Sequence, residues 1–217
     1  MQSIDWAYWE TLFEGFLDRS MGADIAHDRE HIRRVVRSAH ALAAAEQADL
    51  AVAIPAAWLH DCVIVPKDSP LRSQASRLAA DAAITFLREC GYTHADLDAI
   101  GHAIAAHSFS ANIAPRSLEA RVVQDADRLD SLGAIGVARC LMLSASLGRR
   151  LYDPTAPFPD SRPPDDLANA IDHFYVKLLR LADTMQTAAG RAEAQRRTAF
   201  MQAFLDQLRS EITAVEV

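Results

Sequence analysis

Three places in the chain concentrate residues able to do chemistry: His27-Asp28-Arg29-Glu30-His31, His60-Asp61, and Asp125-Ala126-Asp127-Arg128-Leu129-Asp130. His60-Asp61 closes the apolar run Ala56-Ala57-Trp58-Leu59, so an ionisable pair stands where a helix should enter the core. Burying both groups without partners is costly. A divalent ion between helices removes that cost, because neutral imidazole and carboxylate are both good ligands. A helix-end pair that reaches solvent removes it equally well. His31 borders the apolar face Ile32, Val35, Val36, Ala39, Leu42, where a histidine serves either as a ligand or as a hydrogen-bonded residue at the core edge. The acids of the third cluster sit among Val122, Val123, Ala126, Leu129 and Ala134, poor company for a solvated face. Helical register separates them. Steps of three and four from Asp127 reach Val123, Asp130, Ala134, Val137 and Leu141, an otherwise apolar stripe. The same steps from Asp125 reach Arg121, Arg128 and Leu132, which gives that carboxylate ion-pair partners. Asp127 is therefore the acid whose burial calls for a ligand, with Asp130 one turn on.

The elements that must position these residues read as helices throughout. Apolar residues recur at helical spacing and alanine is abundant, which predicts an all-α fold. Helices are expected at 5–19, 25–47, 49–62, 70–90, 94–108, 116–147, 165–185 and 187–213. Ser69-Pro70 has the pattern of an N-cap followed by proline at the first helical position, Gly91 that of a C-terminal stop, and Thr93 with Asp96 that of a capping box. The stretch 153–164 carries five prolines and is the clearest irregular segment. We expect one domain over 1–217, with a motif-bearing core at about 20–150 and a C-terminal helical pair at about 165–213.

A chain of 217 residues with 50% hydrophobic composition can bury a full core. Its net charge of −7 argues against nonspecific binding of nucleic acid or anionic membrane, whose phosphates require a basic surface. A small phosphorylated ligand needs only a few local cations and stays open. The first twenty residues bring Asp5, Glu10, Glu14 and Asp18 before Arg19, the reverse of an export signal. The longest run free of Asp, Glu, Lys and Arg, 99–115, is too short and polar for a membrane span. Cys62, Cys90 and Cys140 are odd in number and set in apolar surroundings, as reduced core thiols are, so the expected compartment is the cytoplasm.

The order His31, His60-Asp61, Asp127, with each residue on a predicted helix, resembles the HD superfamily of metal-dependent phosphohydrolases and its H…HD…D motif. The likeness extends to Val65-Pro66-Lys67-Asp68-Ser69-Pro70, to 119–136 and to Asp172-His173-Phe174-Tyr175-Val176-Lys177, which are similar to small bacterial HD hydrolases with nucleotide pyrophosphatase activity. The resemblance implies a single HD-domain helical bundle with a C-terminal helical extension. It implies that His31, His60, Asp61 and Asp127 hold one divalent ion, manganese first, with magnesium, iron, cobalt, nickel or zinc as alternatives. It implies a nucleoside triphosphate cleaved to monophosphate and pyrophosphate by an activated water. The alternatives are a nucleotidase, phosphodiesterase or phosphatase acting on another small phosphate ester, or a non-enzymatic HD signalling module. Cations for the phosphates are sought in Lys67 and Arg72, beside the predicted helix start at Pro70, and in Lys177, with Asp130 as a further substrate contact. Where relatives often carry an acid three residues after the HD aspartate, this chain has Ile64, so Asp61 is a catalytic candidate and His107 the substitute for proton transfer or for contacting the phosphate. A rival motif, H-x-x-E-H over His27–His31, matches a zinc peptidase site but leaves His60-Asp61 and Asp127 without a role.

Overall fold

The computed structural model describes residues 4–21, 29–66, 69–108 and 111–212. Among these the fold is all-α, as expected. The chain divides into two compact units, Met1–Asp127 and Arg128–Val217.

The first unit contains α1 (Trp6–Met21), α2 (Arg29–Glu46), α3 (Leu50–Leu59), a 3-10 turn at Arg72–Gln74, α4 (Ala75–Glu89), α5 (Leu97–His107) and most of α6 (Leu118–Leu129). α3 is its axis: Ala51 to Leu59 are all buried, and α2 and α5 both pack against it. A helix apolar on every face is stable only when surrounded. α3 also holds Pro55, which has no N–H to bond the carbonyl of Ala51 one turn back. The Tyr92 hydroxyl donates to that carbonyl at 2.6 Å instead. Tyr92 reaches it because Gly91, at φ +72°, turns the chain sharply after α4, with Tyr92 N–H donating back to Leu87 O at 2.9 Å. α1 lays Trp9 and Phe13 against Tyr92, Trp58 and Phe86 to close this side of the core.

The second unit holds α7 (Gly133–Ser146), α8 (Ala170–Val176), a 3-10 segment Leu178–Thr184 and α9 (Ala188–Ile212), with α9 packed on α7 and on the 3-10 segment. Its proline-rich loop is tied down by Asp172. This wholly buried carboxylate accepts two bonds from Arg162, at 2.6 and 2.8 Å, one from Asp165 N–H at 2.7 Å and one from Asn169 Nδ2 at 3.3 Å.

Several expected boundaries shift. The helix expected at 116–147 is two, broken at 130–132, where Leu132 is extended and Gly133 takes φ +69°. The apolar pattern runs through the break because Leu129, Leu132 and Val137 are all buried. Ser69 does not cap a helix: its Oγ accepts from Leu71 N–H at 3.2 Å within a turn, and α4 begins at Ala75. The cap of α5 is Asp96 itself, accepting from Asp98 N–H at 3.0 Å. The 165–185 stretch forms only the short α8 and a 3-10 segment. Cys62, Cys90 and Cys140 are free thiols, and burial beside Asp61 pushes the Cys62 thiol up to about 12. No single described helix is long and apolar enough to cross a membrane.

Candidate metal centre

Four helices of the first unit bring the site together, three of them by their C-terminal ends. α2 carries His31 near its start, on the face that buries Ile32, Val35 and Val36. α3 ends at His60, which is fully buried, with Asp61 following. α5 ends at His107, and α6 carries Asp127 two residues before its last.

Both helix-terminal histidines are oriented in the same way. His60 Nδ1 donates to Ala57 O at 2.8 Å and His107 Nδ1 to Ile104 O at 2.6 Å, each one turn back on its own helix. A carbonyl only accepts, so Nδ1 bears the hydrogen and Nε2 of the neutral ring presents a lone pair. His60 Nε2 is buried and has no hydrogen-bond partner in the protein. It faces Asp127 Oδ1 at 3.9 Å and Asp61 Oδ2 at 3.7 Å. His31 Nε2 lies 3.4 Å from Asp127 Oδ1, and His107 Nε2 lies 3.5 Å from Asp61 Oδ1. The three rings form a row with His60 in the middle, centroids 5.5 Å from His31 and 4.9 Å from His107.

These separations are too long for good hydrogen bonds. They suit two ligands that each sit about 2.1 Å from a shared ion, which lie roughly 3–4 Å from each other. One donor set is His31, His60 and Asp127; a second is His60, Asp61 and His107. The protonation states agree with a cation. Burial pulls the His60 pKa down, beyond what Asp61 and Asp127 restore, so its ring stays neutral. Burial pushes both carboxyls up, but His60, His107 and His31 hold Asp61 below the usual range, and His31, His60 and His107 do the same for Asp127. Burial also pulls His107 down, yet the facing Asp61 carboxylate and the charge of Asp127 leave it raised. Two ionised carboxylates beside a neutral, unpartnered imidazole nitrogen are the donor chemistry of a divalent ion.

The other expected residues fall elsewhere. Arg72 is exposed, and its guanidinium donates to Val65 O at 2.8 Å, stapling the loop after Asp61. Lys67 and His27 lie outside the described residues. In the second unit, Asp130 is buried and ion-paired with Arg139, and Lys177 is exposed at the end of α8. Asp125 is wholly buried, not part of a solvated face. His102 Nε2 accepts from Arg116 N–H at 3.0 Å, fixing the chain before α6. Gln124, buried three residues before Asp127, escaped the sequence reading although a glutamine in the stripe Val122-Val123 is itself a signal.

A family model described as HD domain matches residues 29–132, which include all five of these histidines and aspartates. YpgQ of Bacillus subtilis is 34% identical over 194 residues, 88% of this chain and 86% of that protein. An HD-superfamily hydrolase of Bacillus thuringiensis is 32% identical, with 98% of this chain and 100% of that one covered and a TM-score of 0.73. The chain belongs to the HD superfamily. It is accordingly a metal-dependent phosphohydrolase. A solved structure from Lactobacillus plantarum is 38% identical, with 94% of this chain and 97% of that one covered and a TM-score of 0.70. The B. subtilis YpgQ structure in complex with ADP covers 95% of this chain and 98% of that one, at a TM-score of 0.68.

Proposed function

We propose that this HD hydrolase cleaves nucleoside triphosphates to monophosphate and pyrophosphate, with His31, His60, Asp61 and Asp127 holding one divalent ion, manganese first. The observation that carries the reading is the buried, partnerless His60 Nε2 between two ionised carboxylates. The ADP complex of YpgQ supports a nucleotide as the ligand class. The ion supplies Lewis acidity, lowering the pKa of water and polarising a phosphoryl oxygen.

In this reading His107 and Asp61 form the proton-handling pair. Asp61 orients the His107 ring through Nε2 and stabilises its protonated form, as Ile104 O does through Nδ1. The attacking water gives a proton to this pair, its oxygen bonds to the α-phosphorus, and the bond from that phosphorus to the bridging oxygen breaks, so pyrophosphate leaves with the electron pair. Lys67, Arg72 and Lys177 are assigned to the phosphates and Asp130 to a further substrate contact, with the whole chain read as one HD-type domain acting in the cytoplasm. The free cysteines support that compartment.

A hydrolysis screen over nucleoside mono-, di- and triphosphates, cyclic nucleotides and phosphate monoesters, run with Mn²⁺ and with products identified, tests the reading. Monophosphate with pyrophosphate is expected. Orthophosphate alone, or cleavage of monoesters only, replaces it with the nucleotidase or phosphatase alternative.

A further inference from the structure

α5 stops at His107, so its last carbonyls have no donor within the helix. Side chains from three helices take their place. His107 Nδ1 bonds Ile104 O at 2.6 Å, Ser76 Oγ of α4 bonds Ala105 O at 3.0 Å, and Gln124 Nε2 of α6 bonds Ala106 O at 2.7 Å. Ser76 and Gln124 are both 3% exposed. Gln124 Oε1 is buried with no hydrogen-bond partner. A glutamine with half its amide unmet is a poor choice for packing alone, since methionine fills similar space without burying an unsatisfied acceptor. What the glutamine adds is a bond to the carbonyl immediately before His107. The same side chain stands three residues before Asp127, on the helix that supplies the other half of the centre.

The geometry points to Gln124 as a positioning residue of this hydrolase, with Ser76 its counterpart on α4: together they fix the end of α5 so that His107 Nε2 stays opposite Asp61 Oδ1. The inference rests on the reading of His107 as a proton-transfer group. Without the bond to Gln124 the last peptide of α5 is free to turn, and the His107 ring loses the fixed aim that proton transfer needs.

The test compares wild type, Gln124→Met, Ser76→Ala, His107→Ala and the Gln124→Met/His107→Ala double variant, with kcat and KM measured on the preferred nucleoside triphosphate. Mn²⁺ affinity and thermal unfolding of the metal-free protein are measured alongside. His107→Ala is expected to lower kcat about a hundredfold and Gln124→Met about tenfold, with KM and Mn²⁺ affinity changed less than about twofold. Gln124→Met should cost nothing further in the His107→Ala background. An undiminished loss in that background, or a fall in Mn²⁺ affinity beyond about tenfold, assigns Gln124 to holding α6 and overturns the inference. Unchanged kcat in Gln124→Met beside an impaired His107→Ala overturns it alone. An unimpaired His107→Ala overturns the proton-transfer reading and the inference with it. Should Gln124→Met not fold, Ser76→Ala with and without His107→Ala carries the same comparison.

Discussion

Asp125 and Asp127 are separated by one residue and by very different surroundings, and substitution should separate them too. The Asp127 carboxylate reaches towards His31 and His60 Nε2 at 3.4 and 3.9 Å, whereas Asp125 is wholly enclosed. Asp127→Ala is expected to lose bound Mn²⁺ while staying folded. Asp125→Ala should keep its metal but unfold at a lower temperature. Metal analysis of desalted, folded protein decides the matter, and the reverse pattern would move the ligand assignment to Asp125. His60→Ala should also abolish metal binding and hydrolysis together, because His60 is the one ring common to both donor sets. Excess chelator should silence the wild type in the same way, and full activity with metal shown to be absent would sink the metal-dependent reading of this centre.

Two glycines within helices leave no room for a Cβ, and they predict contrasting costs. A Cβ on Gly101 of α5 would lie 2.4 Å from Ile84 Cδ1 of α4, the movable tip of a side chain. A Cβ on Gly136 of α7 would lie 2.3 Å from the Ser131 carbonyl oxygen, which is backbone and cannot step aside. Gly101→Ala is therefore expected to cost about 1 kcal/mol and to be relieved by Ile84→Val, whereas Gly136→Ala should cost about 3 kcal/mol with no side-chain remedy. Denaturant unfolding of the two variants checks the ranking, and equal costs would refute it. Helix existence and the order His31, His60-Asp61, Asp127 were legible because apolar spacing and residue type are local properties of the chain. The break before Gly133 was not, since the buried apolar residues Leu129, Leu132 and Val137 continue across it. Nor was the role of Ser76 and Gln124. Which side chain meets the orphan carbonyls of α5 depends on how α4, α5 and α6 meet, and that information is not local. His107 was picked out from the sequence as a substitute for the acid missing at Ile64, while its pairing with Asp61 at 3.5 Å emerges only in the fold.

For the molecule as a whole, occupancy of the metal centre and the Asp172 anchor should govern stability under different conditions. A ligand that binds only the folded state stabilises it by about 2.7 kcal/mol at a hundred times its Kd, so Mn²⁺ should raise the Tm of the wild type and leave that of His60→Ala unmoved. The Asp172 anchor predicts acid sensitivity. Burial pushes this carboxyl up, but the Arg162, Asp165 and Asn169 bonds more than offset it and hold the folded-state value below the ordinary one. Its contribution is thus full above the ordinary carboxylate value and is lost as pH falls through the lower folded value. Arg162→Met, which strands the buried charge, should cost about 3 kcal/mol at neutral pH, and thermal melts across pH 2–7 should show a smaller acid-dependent loss than the wild type. Finally, most of the centre hangs from helix ends: His60 and His107 close α3 and α5, and Asp127 nearly closes α6. Length variation should therefore be tolerated very unevenly along the chain. One residue inserted within α3 swings His60 by about 100° out of line. The same insertion at 93–95, between the Tyr92 anchor and the start of α5, leaves every side chain of the centre in phase. Natural insertions, affinity tags and circular permutants should accumulate in such connections and be absent from α3.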